Sequence, residues 1–281
     1  MRIAISNIAW DISEDEQVAA LLNKYGVDAI DVAPGKYFPD PKNASSVDIA
    51  RVRDWWGNHR IEITGMQALL FGTKGLNLFG SNDTQTAMLE HLEAVCRIGA
   101  GLGATKLVFG SPKNRDCSAL SRQEAHDIAV HFFRLLGDIA SRYGVVICLE
   151  PTPPCYGGNF MTNSADTAAI VAAVGYASIR MQLDTGAVAI NNEDLSQVFD
   201  KYVGLIGHVH ASEPDLITLG DGAADHAGLG QKLIELLPEQ VVTIEMLPAK
   251  NESNIDAIER AIGVAIFHYR RHSIGGKGVE V

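Results

Sequence analysis

The chain has 281 residues, of which 47% are hydrophobic, and 34 acidic against 23 basic side chains give it a formal net charge of −11. That length suits one large domain with a substantial core, near the roughly 250 residues of a (β/α)8 barrel. The acidic balance argues against a nucleic-acid partner, whose phosphate backbone calls for clustered Lys and Arg, and no stretch has the apolar length of a membrane span.

The first strand is expected over residues 2–8, with Asn7 and Trp10 near its C-terminal end. Ser13 and Glu16 have the spacing of a capping box, Val18, Leu21, Leu22 and Tyr25 keep one helical face, and Gly26 suits a left-handed C-cap. A second strand is expected over 29–33, then a loop to Asn43 holding Tyr37 and Phe38, a helix over 47–59, and a third strand over 63–67 that ends at Gln67. The loop over 68–82, with Phe71 and Phe79, is long enough to suggest a functional or mobile role. A helix over 84–102 and a strand over 106–110 lead into the basic loop Ser111-Pro112-Lys113-Asn114-Arg115, read mainly as solvated charge, with Lys113 and Arg115 holding an anionic substrate group such as phosphate as the alternative. Ser121 and Glu124 form a second capping box, and Gly144 ends the helix that follows. The four cysteines (Cys96, Cys117, Cys148, Cys155) show no paired or zinc-knuckle spacing, and no signal segment opens the chain. Reduced thiols in a cytoplasmic protein are expected.

The second half repeats one unit. Val145-Val146-Ile147-Cys148-Leu149 ends in Glu150, Ile179 to Leu183 ends in Asp184, Leu205 to Val209 ends in His210, and Val241 to Ile244 ends in Glu245. A short apolar run without alternation reads as a strand buried on both faces, as in a parallel sheet. Helical segments separate the strands, and eight strand–helix pairs predict an α/β fold that closes as a (β/α)8 TIM barrel over residues 1–272, with 273–281 a flexible C-terminal tail. The last helix should bury Ile255, Ile258, Ile262, Ile266 and Tyr269, with Arg270, Arg271 and His272 at its negative end. Four consecutive units that present Glu150, Asp184, His210 and Glu245 at one rim predict a site for one divalent metal ion. His208, two residues earlier on the same strand face, is read as a hydrogen-bonded barrel-interior residue. Asn7, Gln67, Lys113 and His226 are the candidate substrate contacts. For Asp225 and His226 a helix cap and a second metal or substrate contact weigh about equally.

Leu149-Glu150-Pro151, Leu183-Asp184-Thr185-Gly186, His208-Val209-His210-Ala211-Ser212-Glu213 and Ile244-Glu245 resemble the motifs of the xylose isomerase-like TIM-barrel family. That family includes tagatose and psicose 3-epimerases, hydroxypyruvate isomerases, inosose dehydratases and, more distantly, endonuclease IV. The resemblance covers nearly the whole chain and implies that Glu150, Asp184, His210 and Glu245 hold one divalent ion, Mn²⁺ first, with Co²⁺ or Mg²⁺ as alternatives. The carboxylate-rich donor set agrees with such hard ions. The chain departs from the family pattern at Ala187, where many members have a histidine, and at Pro214-Asp215-Leu216 and near Tyr156, where ketohexose epimerases carry an arginine and a second glutamate. These departures weigh against a plain C3 epimerase of free ketohexoses and leave the ligand set intact.

The expected activity is a metal-dependent isomerase or epimerase of a keto-sugar. Glu150 and Glu245 would remove and return an α-proton on opposite faces of the substrate through an enediolate. A lyase or dehydratase of a keto-sugar or keto-inositol is the alternative, and an endonuclease IV-like hydrolase a distant one. The expected partner is a small sugar, with a homo-oligomer as an open option.

Overall fold

Residues 1–270 are described by the computed structural model of the chain. The predicted tail, with Arg271 and His272 before it, lies outside the described residues. Eight parallel strands close on themselves in sequence order: β1 (Arg2–Ser6), β2 (Ala29–Val32), β3 (Glu62–Met66), β4 (Lys106–Phe109), β5 (Val146–Leu149), β6 (Ile179–Asp184), β7 (Ile206–Ser212) and β8 (Val241–Glu245). The ring is completed by β1 pairing with β8, Ile5 opposite Ile244. Around it run α1 (Asp15–Lys24), α2 (Pro34–Tyr37), α3 (Ser46–Asn58), α4 (Asn82–Leu102), α5 (Arg122–Tyr143), α6 (Ser164–Val174), α7 (Thr185–Ile190), α8 (Leu195–Tyr202), α9 (His226–Leu236) and α10 (Asn254–Tyr269). The (β/α)8 barrel expected from strict alternation is therefore the observed fold. No helix among the described residues is long and apolar enough to cross a membrane.

The helices start and stop where local chemistry directs. Ser121 Oγ accepts from the Glu124 amide while Glu124 Oε2 accepts from the Ser121 amide, and Gly144 closes α5 with φ 68°. The predicted box at Ser13 and Glu16 is displaced by two residues. Asp11 Oδ1 accepts from the Ser13 amide and Glu14 Oε2 from the Asp11 amide, because a short 3-10 turn (Ile12–Glu14) precedes α1. Aspartate caps as well as serine does, so both registers satisfied the sequence pattern. The loop expected after β2 also holds a helical turn, α2, with Pro34 at its start.

The apolar core lies between strands and helices, with Trp10, Trp56, Phe132, Phe133 and Phe199 among its largest buried side chains. Trp10 packs edge-on against Trp56, ring centroids 6.4 Å apart, and donates its indole N–H to Asp15. It belongs to this packing. The barrel interior is different. Asp31, Gln182, His208, His210 and Thr243 are all buried there, and those polar groups lead to the candidate site.

Candidate metal centre

β5, β6, β7 and β8 are neighbours in the barrel, so the residues at their C-terminal ends meet. One ligand atom each from Glu150, Asp184, His210 and Glu245 lies within 4.8 Å of every other. Glu150 follows β5, and Asp184 and Glu245 are the last residues of β6 and β8. His210 differs from the expectation. β7 runs two residues further, to Ser212, so the imidazole sits inside the barrel, fully buried, below the carboxylates. Its Nδ1 is 3.1 Å from Glu245 Oε2 and 3.5 Å from Glu150 Oε1.

Each side chain is aimed by its neighbours. Asp184 caps α7, its Oδ1 accepting from the Ala187 amide at 2.6 Å and its Oδ2 from Ser212 Oγ at 2.6 Å. Gln67 donates to Glu245 Oε1 at 2.7 Å. Glu150 needs a glycine beside it: a Cβ on Gly110 would come within 1.9 Å of Glu150 Oε2.

Three carboxylates share one histidine, and the electrostatics show it. Burial, then the charges of Glu245 and Glu150, push the Asp184 carboxyl up to about 7. Burial likewise raises Glu150, with Glu245 adding to it and His210 opposing. Glu245 goes the other way: burial would raise it, but His210 and the Gln67 amide hold it below the usual range. Burial lowers His210, and the two glutamates more than reverse that. Like charges packed this closely cannot all ionise without a compensating cation. A carboxylate-rich cage with one imidazole fits a hard divalent ion held by Glu150, Asp184, His210 and Glu245.

A second acidic group lies one layer deeper. Asp31 on β2 is fully buried, and its Oδ2 accepts from His208 Nε2 at 2.7 Å and from Thr243 Oγ1 at 2.9 Å. Thr64 donates to Oδ1 at 3.1 Å, and a Cβ on Gly65 would come within 2.5 Å of that oxygen. Despite burial, the His208 partner keeps this carboxyl below the usual range. Asp31, His208 and His210 together also meet the spacing of a metal group, but that group has a single carboxylate and is closed inside the barrel, all three side chains being buried. Asp31 Oδ2 is 4.0 Å from His210 Nε2, which has no hydrogen-bond partner among the described residues. His208 is the interior residue the sequence suggested. Asp31 was not singled out there, although a lone carboxylate inside Ala29-Ile30-Asp31-Val32 was the available signal.

Above the four groups opens a cavity with two lobes. The larger, about 490 Å³, is lined on the β1–β4 side by residues including Ala33, Lys36, Gln67, Phe71 and Val108. The smaller, about 350 Å³, is lined on the β5–β6 side by Pro151, Thr152, Tyr156, Asp184 and Ala187 among others. Gly110, Glu150, Leu216, Glu245 and Leu247 line both, so the lobes meet over the carboxylates. Of the expected substrate contacts, Gln67 lines the cavity. Asn7 does not: it is buried and its Oδ1 accepts from the Ala33 amide at 2.7 Å. Lys113 is exposed and lines neither lobe. His226 is corrected outright, since Nδ1 pairs with Tyr269 Oη at 2.6 Å and Nε2 with Glu213 Oε1 at 2.9 Å, tying α9 to the loop after β7 and to α10. Asp225 is the N-cap of α9, accepting from the Gly228 amide. Neither takes part in the metal-spaced groups.

Arg115 departs from the reading of its loop as solvated charge, which describes the exposed Lys113. Arg115 is 1% exposed, donates to Thr152 Oγ1, and leaves Nε and Nη1 without hydrogen-bond partners among the described residues. Burial lowers its pKa to about 10, and the charge of nearby Glu150 opposes that. A buried guanidinium beside Glu150 offsets part of the acidic excess.

The architecture matches known barrels closely. A D-psicose 3-epimerase from Clostridium cellulolyticum H10, solved with D-tagatose, superposes with TM-score 0.78 at 15% identity over 95% of this chain and 98% of that one. The 3-keto-D-glucoside 4-epimerase of E. coli gives 0.75 at 17%, covering 93% and 98%. The IOLI protein, solved with a bound zinc atom, gives 0.73 at 19%, covering 96% and 100%. No curated protein matches the sequence. The sequence profile of the xylose isomerase-like TIM barrel matches residues 19–264. This chain belongs to the xylose isomerase-like TIM-barrel family.

Proposed function

We propose that the protein is a divalent-metal-dependent epimerase or isomerase of a keto-sugar. The observation that carries this reading is the convergence of Glu150, Asp184, His210 and Glu245 within 4.8 Å beneath an open cavity. The sugar epimerases among its structural neighbours support the substrate class. A divalent ion held by these four residues would polarise a substrate carbonyl and stabilise the negative charge that develops as the α-proton leaves.

The chain's own residues supply the proton chemistry. Glu150 and Glu245 approach from β5 and from β8, two non-adjacent strands, and both line the two lobes. A substrate carbon held between them is open to a carboxylate on each face, one to take the proton and one to return it. Their environments are unequal. Gln67 holds Glu245 by a hydrogen bond, while Glu150 feels the charge of the buried Arg115, and either glutamate can serve as base with the other as acid. Asp184 accepts from Ser212 and the Ala187 amide, which hold it facing the other three groups.

The test is a panel of keto-sugars turned over in deuterated water by protein loaded with Mn²⁺, Co²⁺ or Mg²⁺. Deuterium at the carbon α to the carbonyl of the product is the expected result. Turnover without label contradicts the proton route, and label accompanied by loss of water makes the protein a lyase.

A further inference from the structure

We propose that Gln67 selects the substrate by accepting a hydrogen bond from the hydroxyl on the β-carbon of the keto-sugar, so that the hydroxylated chain beyond the reacting carbon lies in the larger lobe. The chemistry rests on the epimerase reading, while the acceptor stands on its own geometry.

Gln67 directly follows β3, whose last residue is Met66. Its backbone N–H donates to the Val32 carbonyl at 3.1 Å, and the chain turns away at once through Ala68, at φ 54°. The residue is 4% exposed and lines the larger lobe together with Glu150 and Glu245. Its two polar ends differ. Nε2 donates to Glu245 Oε1 at 2.7 Å, whereas Oε1 is buried and has no hydrogen-bond partner among the described residues. The two ends cannot be exchanged, because a carboxylate only accepts and so keeps Nε2 turned toward it. The terminal torsion of a glutamine is soft. A small turn about it offers Oε1 to the lobe while Nε2 keeps its hold on Glu245.

An amide oxygen is a pure acceptor, and leaving one buried and unmatched is costly. The group that answers it must bring an O–H or N–H. A phosphate or carboxylate oxygen would meet Oε1 and the two glutamates as like against like. The one cationic side chain that lines the lobe, Lys36, is drawn to the Asn7 and Trp10 carbonyls. A neutral polyhydroxylated chain fits these surroundings. Position narrows the choice of hydroxyl. Nε2 and Oε1 belong to one amide, so a hydroxyl held by Oε1 lies close beside Glu245, within a bond or two of the carbon that Glu245 serves. The carbonyl oxygen and the α-hydroxyl are the pair that suits a divalent ion, which leaves the β-hydroxyl for Gln67.

The deciding experiment is a cycle that removes each partner in turn. D-fructose, D-tagatose and L-ribulose are offered in deuterated water to the whole chain loaded with Mn²⁺ and to Gln67→Leu. Each sugar is paired with the analogue that lacks the hydroxyl on the carbon beyond the exchanging one. The wild type is expected to lose at least about tenfold in kcat/KM on the deoxy sugar, and Gln67→Leu to bring the two sugars within about threefold. Gln67→Met keeps the length of the side chain and should act as Gln67→Leu does, which guards against collapse of the wall. If Gln67 only braces Glu245, both variants slow the two sugars alike and leave their ratio at the wild-type value, and the proposal is overturned. Equal treatment of the two sugars by the wild type overturns it as well. No exchange on any sugar with metal bound fails the epimerase reading by itself. The same cycle is then read from calorimetric affinities for these sugars. A deoxy penalty that Gln67→Leu abolishes sustains the hydroxyl contact, while affinities without that penalty, or no binding of any sugar, overturn it.

Discussion

Two carboxylate–imidazole groups are stacked in the same barrel, and they behave oppositely. In the deeper one, Asp31 has His208, Thr243 and Thr64 to itself, and its carboxyl stays low although fully buried. In the upper one, Asp184, Glu150 and Glu245 share His210, and two of the three carboxyls are raised. One charge with its partners complete is a fastener. An excess of like charge at an open cavity would make a receptor for a cation, with protons balancing it in the cation's absence. Position agrees: strand C-termini of such barrels serve function.

Substitutions can break this contrast. The largest expected effect is on chemistry. Glu245→Gln should lower α-proton exchange by roughly 10²–10⁴-fold while keeping a cooperative thermal melt. A variant that exchanges at near wild-type rate removes Glu245 from the reaction.

Next comes stability, where the two layers should differ in sign. Asp31→Asn leaves His208 without its charged partner and should cost about 3–5 kcal/mol in chemical denaturation. Asp184→Asn relieves repulsion, so the metal-free variant should melt at or above the wild-type temperature while its metal affinity falls. Equal destabilisation by both would erase the distinction between fastener and receptor. His210→Ala should weaken metal binding more than it weakens folding.

The pH dependence follows the same division. Asp184 has a folded-state pKa of about 7, above its ordinary value, so the folded protein takes up protons more readily than the unfolded chain across that interval. Metal-free protein should therefore gain stability as pH falls from about 7 toward the ordinary aspartate range, with the raised His210 acting in the same direction where the pH is higher. Asp31, lowered, contributes stability that is present above its unfolded pKa and lost only as pH falls through the folded one. Added Mn²⁺ should reverse the first trend, because protons then compete with the ion. Melting temperatures against pH, with and without metal, check this. The smallest effect expected is for Gln67→Leu, which removes one hydrogen bond to Glu245 and should lower turnover about tenfold, with metal affinity little changed.

Much of the fold was legible because strand runs such as Val145 to Leu149 are apolar without alternation and stop at a charge, and because caps such as Ser121 and Gly144 act locally. Glu150, Asp184 and Glu245 were legible for the same reason: a carboxylate at the end of a buried strand has few places to point. His210 lies deeper than expected, since the residues after it, Ala211 and Ser212, continue the strand through pairing with β8 that the sequence does not display. Three assignments needed the tertiary structure. Asp31 and His208 are distant in sequence and on non-adjacent strands, and barrel closure alone makes them partners. Arg115 looked solvated because basic loops usually are, and its burial depends on the β4 and β5 loops folding over it. His226 looked free because nothing near it in sequence reveals Tyr269, which reaches it from the far end of the chain on α10. Periodicity and end-signals act within a few residues and so can be read from the chain itself. Which polar groups face one another inside a closed barrel is fixed by register and closure, and only the folded chain decides it.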